Sequence, residues 1–314
     1  MKYKLRKRKI ILKNGTIFSG ILLSIIYVLS SNAQQDNDPL IKGPYLGQKP
    51  PGVAPEIFAP GIVSTDFYNH CSPTISPDGK EIYWAMSPLD EMRQVYLSKS
   101  RNGCWTKPEV VSFTHEENGD CPVLSPDGKR LYFNSSRPRY PGDTERERIW
   151  YAERQEEDWS IPKPLGSAIN DEHLHWQISV DKDYNLYFGS ERQGSKGKDD
   201  VFFAEYKNGK YSKPVSLGSE INTEAHESCP YISPDGSFLI FCRIARERLL
   251  ISYKQQGGKW TKAKNMGNEF AEAICPYVSP DKKYLFFLEM GRGYNDVYWV
   301  SARIIEDLKL KKLK

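Results

Sequence analysis

The chain has five histidines, His70, His115, His173, His175 and His226, and each lies in a short polar segment leading into a recurring apolar strand. Carboxylates share those segments: Asp66, Asp120, Asp171, Glu172, Glu224, Glu227, Glu269 and Glu272, with Gln177 two residues beyond His175. Neutral imidazoles beside carboxylates suit a divalent transition ion, and an imidazole next to an acid can switch charge near neutral pH. On that chemistry His70, His173, His175 and His226 are the candidate metal ligands. The candidate ligand-binding set is His70, Asp120, His173, His175, His226, Glu227 and Glu272. The competing reading is a polar rim whose side chains cap backbone groups and solvate a channel mouth. No Gly-x-Ser-x-Gly nucleophile elbow occurs, and no residue is assigned a catalytic role.

The six cysteines divide into two groups. Cys121, Cys229 and Cys275 each directly precede a proline, Pro122, Pro230 and Pro276, at one repeat position that Ser72 and His175 fill in the other copies. A small residue recurring at one strand position reads as packing. Cys71, Cys104 and Cys242 fall elsewhere, and no pair is spaced Cys-x-x-Cys, which argues against a structural zinc or a thioredoxin-like motif. Buried free thiols are the reading adopted; an oxidising compartment would also allow one disulfide, with Cys229–Cys275 on adjacent repeats the candidate pair.

The elements that must position these residues are themselves repeated. Ser76-Pro77-Asp78-Gly79 returns as Ser125-Pro126-Asp127-Gly128 and Ser233-Pro234-Asp235-Gly236, with degenerate copies at Ser179–Lys182 and Ser279–Lys282. Ser, Pro and Gly at the first, second and fourth positions predict a type I turn joining antiparallel strands. An apolar strand follows each turn (Ile82-Tyr83-Trp84, Leu131-Tyr132-Phe133, Leu186-Tyr187-Phe188, Leu239-Ile240-Phe241, Leu285-Phe286-Phe287), then a third strand, then a fourth segment. The fourth opens with an aromatic, Trp105, Trp159, Tyr211 or Trp260, and two copies continue as Pro-x-x-Leu-Gly-x-x-Ile-Asn. Strands apolar on both faces belong to a sheet sandwiched between two others. Four strands per ~50 residues, stacked radially, make an all-β propeller.

The fifth repeat lacks its fourth strand. Residues 55–62 supply one at the other end of the chain, with Phe58, Ala59 and Ile62 at the Leu, Gly and Ile positions. The expectation is five four-stranded blades over 55–305, closed by that N-terminal strand. Six blades would need strands in 34–54, whose Pro and Gly content argues against them. Residues 34–54 are expected to be a linker without repeat equivalent, and 306–314 a basic tail.

Residues 1–33 hold seven Lys/Arg and no acid, then an apolar run over 17–29 and Ser31-Asn32-Ala33. That order predicts a signal peptide cleaved after Ala33, and the apolar run is short for a span of ~20 residues. Without those seven positive charges the formal net charge of +4 becomes −3. No basic face for nucleic acid is evident, and no membrane span is expected after cleavage.

The Ser-Pro-Asp-Gly turns followed by Leu-Tyr-Phe strands resemble the TolB-like, WD-like propeller repeats of exported bacterial proteins, over roughly residues 55–303. The resemblance implies a periplasmic or secreted location. It also brings two functional models: interaction modules, and oligogalacturonate lyases that hold a metal in the propeller funnel. The reading adopted is a monomeric, non-catalytic module that needs no cofactor and binds a protein or glycan through the connector face at the central channel. The alternative is a metal-dependent polysaccharide-cleaving enzyme with a His-rich funnel site, to which a divalent ion would be added.

Overall fold

In the computed structural model the tetrapeptide repeats form hairpins of one design. Gly79 N–H donates to Ser76 O (2.8 Å), the Ser76 hydroxyl donates to Asp78 Oδ1 (2.6 Å), and Glu81 N–H returns to Ser76 Oγ (2.9 Å). Ser125 and Ser233 repeat the pattern. Gly79, Gly128 and Gly236 sit at φ of +71°, +70° and +69°, the left-handed region that glycine enters without steric cost. In the fifth copy Lys282 takes that slot at +61°.

The structure describes residues 41–87, 92–143, 146–156, 158–172, 175–244, 247–289 and 296–310. The expected leader lies outside them. Five antiparallel sheets make a five-bladed propeller. From channel to rim, blade two is Asp120–Leu124, Arg130–Ser135, Arg148–Gln155 and Lys163–Pro164. Blade three is His175–Val180, Leu186–Ser190, Asp200–Ala204 and Val215–Ser216. Blade four is His226–Ile232, Phe238–Ile244, Glu247–Tyr253 and Lys264–Asn265. Blade one has its inner strand split into Tyr68–Asn69 and Thr74–Ile75, followed by Glu81–Ser87, Gln94–Arg101 and Glu109–Val110. The second strands are buried on both faces, Leu131, Tyr132 and Phe133 completely so.

Blade five is Ala273–Val278, Tyr284–Glu289 and Val297–Ser301, completed by Glu56–Ile57 paired to Tyr298 and Trp299. The ring is closed by the N-terminal strand. Phe58 N–H donates to Val297 O, the bond that Leu165 makes to Ile149 and Leu217 to Val201. Phe58 is fully buried, edge-on to Phe286 and Trp299. The register slips by one residue beyond this point. Val63, rather than Ile62, is the fully buried residue, and Ser64 takes the place of the motif's Asn.

That Asn has a physical job. Asn170 accepts from Ile149 N–H (3.0 Å) and donates to Ile149 O (2.9 Å), so its side-chain amide extends the ladder of the third strand by one rung. Asn222 does the same for Val201, and Thr114 and Ser64 contribute hydroxyls to Val95 and Val297. The aromatics of the fourth segment pack between blades as expected: Trp159 meets Tyr83 edge-on, and the Tyr211 hydroxyl lies 3.2 Å from that of Tyr132.

Two expectations about the chain ends need correcting. The part of the 34–54 segment that is described is not a loose linker. Leu46 is buried, Tyr45 lies edge-on to Tyr284 and tilted against Trp299, Gln48 bonds Ile57 O and Ala59 N, and Gly43 O accepts from the Trp105 indole. Of the basic tail, residues 306–310 are described, and they belong to a helix, Arg303–Leu310, whose apolar residues recur on one side: Ile305 is buried and Leu308 packs on the core. Tyr253 fastens it by donating to Ile305 O (2.6 Å).

Candidate functional site

The connectors enter the inner strands at the end opposite the Ser-Pro-Asp-Gly turns. Each inner strand of blades two to five carries a register shift there, at the residue pairs Asp120/Val123, His175/Ile178, Ser228/Tyr231 and Ile274/Tyr277. Cys121, Cys229 and Cys275 sit in three of these bulges with φ of +46°, +47° and +52°. A bulge re-aims its side chain, and here it turns the cysteines toward one another.

The disulfide differs from the expected one. It joins Cys71 to Cys121, linking the inner strands of blades one and two. Cys229 and Cys275 are buried thiols outside that disulfide, with sulfurs 3.5 Å apart, Cys275 donating. That hydrogen bond, together with burial, pushes the Cys275 thiol up. The reason for the difference is the bulge: it offsets the cysteine column by one residue, so Cys121 meets Cys71 rather than Ser72. Ser72 instead donates to Cys275 O (2.5 Å), tying blade one to blade five.

The disulfide brings the dipeptides His70-Cys71 and Asp120-Cys121 side by side. His70 Nδ1 lies 3.1 Å from Asp120 Oδ2, and Arg93 Nη1 donates to the same oxygen at 2.6 Å. Arg93 also reaches Glu147 (3.5 Å), and Cys121 N–H donates to Asp120 Oδ1. Burial would raise the Asp120 carboxyl, yet the hydrogen bonds and charges of His70 and Arg93 overcome it and hold the group below the ordinary carboxylate range. Asp120 is thus a buried anion, while the His70 side chain is 38% exposed at the surface above it.

The other candidates separate. His226 Nε2 lies 2.5 Å from Asp199 Oδ2 at the blade three–four seam. Glu227 is fully buried, accepting from Thr223 N–H, the Thr223 hydroxyl and Arg243 Nε (2.6 Å), which makes it a strut of its own connector. Glu272 is exposed. His173 lies outside the described residues, and of His175 the structure gives the backbone, paired with Gly189. Among the described residues no three His, Cys, Asp or Glu side chains are grouped to hold a metal ion.

Sequence reasoning missed a set of arginines at the same end. Arg137 and Arg192 follow a second strand, Arg243 lies near the end of one, and each donates to a connector carbonyl, that of Phe113, Ile169 or Ile221. Each lies over aromatic rings of its own blade: Phe133 and Trp150, Phe188 and Phe202, or Phe241. The Ser-x-Arg spacing at Ser135–Arg137 and Ser190–Arg192 was the available signal, since each serine hydroxyl accepts from the arginine Nε.

Between blades one and two a groove of about 670 Å³ opens on this end, lined by His70, Met92, Arg93, Glu117, Asn118 and Arg137 among others. Of the eight large apolar side chains exposed among the described residues, four lie at this end: Phe67, Met92 and Tyr140 on loops, and Tyr68 in the short strand Tyr68–Asn69. Tyr68 pairs with Ser87, which itself lines the groove.

No family model matches the chain, and no curated protein matches it. Solved structures do. TolB from Acinetobacter baumannii is 18% identical, covering 73% of this chain and 53% of its own, with a TM-score of 0.46. A protein described as a TolB from Agrobacterium tumefaciens is 16% identical, over 71% and 69%, at 0.47. A gluconolactonase from Xanthomonas campestris is 9% identical, over 83% and 97%, at 0.44. The chain spans about half the length of the Acinetobacter TolB. By its own sheets the chain is a β-propeller, and it has structural similarity, at low sequence identity, to TolB and other bacterial propellers. The Cys71–Cys121 disulfide is consistent with an extracytoplasmic protein. Among the described residues no helix is long and apolar enough to cross a membrane.

Proposed function

We propose that this is an exported, non-catalytic binding module whose connector end, at the seam of blades one and two, takes a protein or glycan partner. The observation that carries the reading is the company around the groove. Exposed Phe67, Tyr68, Met92 and Tyr140 share one end of the molecule with His70, Arg93 and Arg137. Aromatic residues, Met and Arg are the types enriched where proteins dock, and Met92, lining the groove with Arg93 and Arg137, favours a protein over a glycan. The buried Asp120 and the disulfide hold Arg93 and His70 in place before any partner arrives, which lowers the ordering cost of binding.

The test is a capture experiment on immobilised protein, run against envelope extract and against a glycan array. Wild type should retain a partner that a Tyr68→Ala/Met92→Ala variant loses. Ile161→Ala, at an 87% exposed apolar residue in the third-to-fourth strand loop of blade two, should retain it. Equal capture by all three proteins, or by none, would sink the proposal. Export itself is tested by N-terminal mass spectrometry, which should find Gln34 first.

A further inference from the structure

Four aromatics open the fourth segments of blades one to four, and three of them are used up inside the protein. Trp105 is buried and its indole donates to Gly43 O (2.6 Å). Trp159 is buried edge-on to Tyr83, and the Arg154 guanidinium, paired to Glu81, lies over its ring at 4.2 Å. Tyr211 places its hydroxyl on that of Tyr132.

Trp260 is the exception. Part of its ring packs on the core between blades three and four, and the side chain is left half-buried. Among the described residues its indole N–H has no hydrogen-bond partner, and the unpartnered indole nitrogens sealed from solvent are those of Trp84, Trp150 and Trp299. The cation beside it is Lys254, on an exposed side chain with its ammonium 5.7 Å from the ring centroid. Arg154 covers Trp159 from a fixed position, whereas Lys254 has no carboxylate partner among the described residues and can swing aside.

The Trp260 ring borders a groove of about 570 Å³ on the rim of the ring of blades. One bank is the fourth strand of blade three and the segment after it, with Leu217 and Glu220; the other is the hairpin of blade four, with Gln255, Lys259 and Lys262. Gly257 and Gly258, at φ of +86° and +82°, turn that hairpin, and Gln255 N–H donates to Lys259 O (2.8 Å), so both side chains flank Trp260. Ala263 N–H donates to Glu220 O (3.2 Å) and ties the banks together. Glu220, Gln255, Lys259 and Lys262 are all exposed, so a ligand reaches them directly.

The geometry points to a binding site for a neutral glycan on this rim: a pyranose lays its C–H face on Trp260, and its hydroxyl edge meets Glu220, Gln255 and the indole N–H. A ring that is half in the core and half wet suits a ligand apolar on one face and polar at its edge. Vicinal hydroxyls both donate and accept. They match a carboxylate, which only accepts, beside an amide, which does both, and an indole and ammoniums, which only donate. An apolar ligand would leave those groups unpaired, at a cost for each. The two lysines and one glutamate lining the groove sum to a single positive charge, solvated and screened, which is too little to select an ionic ligand. The volume falls within the ~300–1,000 Å³ of small-ligand clefts.

Cellotriose, neutral and with flat equatorial rings, is the probe. Calorimetric titration of the full-length protein should show it binding, and a cellotriose-soaked crystal should place a pyranose on Trp260. Trp260→Ala should weaken binding at least ~10-fold, as for loss of an aromatic anchor. Glu220→Ala/Gln255→Ala, at exposed positions, should weaken it roughly tenfold, the loss expected for two hydrogen bonds, and it decides the matter if Trp260→Ala fails to fold. Ile161→Ala, on the rim of blade two, should bind as wild type does. No cellotriose binding by wild type, undiminished affinity in Glu220→Ala/Gln255→Ala, or a sugar seated in the connector-end groove beside Met92 instead would each overturn the site. None of these results depends on capture of the connector-end partner, so the two proposals fail separately.

Discussion

Two seams of the ring are held together by different physics. At the closure of blade five, where the N-terminal strand joins the last repeat and blade one packs alongside, apolar burial dominates. Phe58 lies against Phe286 and Trp299, Tyr45 against Tyr284 and Trp299, and Ser72 and Tyr277 bond backbone across the seam. Between blades one and two the inner strands are joined by a disulfide and by one buried carboxylate shared between His70 and Arg93. A covalent staple holds neighbouring strands without needing their connector-end side chains as glue. The lesson is that the stapled seam can display charge, Met and aromatic surface, whereas the closing seam must bury its aromatics.

The comparison can be broken first at the closing seam. Phe58→Ala should cost about 3–5 kcal/mol, the range for emptying a core aromatic site, and should open the edge of blade five to aggregation. Urea denaturation with light scattering measures both. Truncation to residue 49 should also destabilise, since it removes Tyr45, Leu46 and Gln48; a neutral outcome would restore the linker expectation. Breaking the staple with Cys71→Ser/Cys121→Ser should cost about 2–4 kcal/mol for a closed loop of this size, read from the denaturation midpoint with and without reductant.

Acid should loosen the stapled seam. Asp120 has a carboxyl pKa depressed in the fold, so it contributes stability above its unfolded value of about 4, and that contribution is lost as pH falls toward the folded value. Stability measured from pH 7 to pH 3 should therefore fall along an acid limb that is shallower in Asp120→Asn. An identical limb in the variant would mean that other carboxylates govern it. Smallest of all, His70→Ala should change stability by less than about 1 kcal/mol, because that side chain is partly solvated.

Much of this molecule was legible from the repeat and little from its exceptions. The hairpins, the blade count and the N-terminal closure follow from local rules, namely turn chemistry and an unpaired fifth blade. The site residues obey no such rule. His70 and Asp120 lie 50 residues apart and meet because a one-residue bulge turns Cys121 onto Cys71, a rotation that spacing alone does not encode. Glu227 read as a site residue because it is acidic and next to a histidine, yet its partner Arg243 lies on the following strand and makes it a buried strut. The Ser-Pro-Asp-Gly prolines read as turn formers only; that Pro77, Pro126 and Pro234 also border the central channel needs five blades placed around one axis.

The central claim is that the stapled seam is the binding surface and its exposed residues are dispensable for folding. The direct measurement is the affinity of the captured partner for wild type and for the triple variant Tyr68→Ala/Met92→Ala/His70→Ala, with chemical denaturation run on the same samples. The account predicts binding weakened at least ~10-fold, as for loss of an interface hot spot, with stability within about 1 kcal/mol of wild type. Undiminished affinity in a folded triple variant would contradict it.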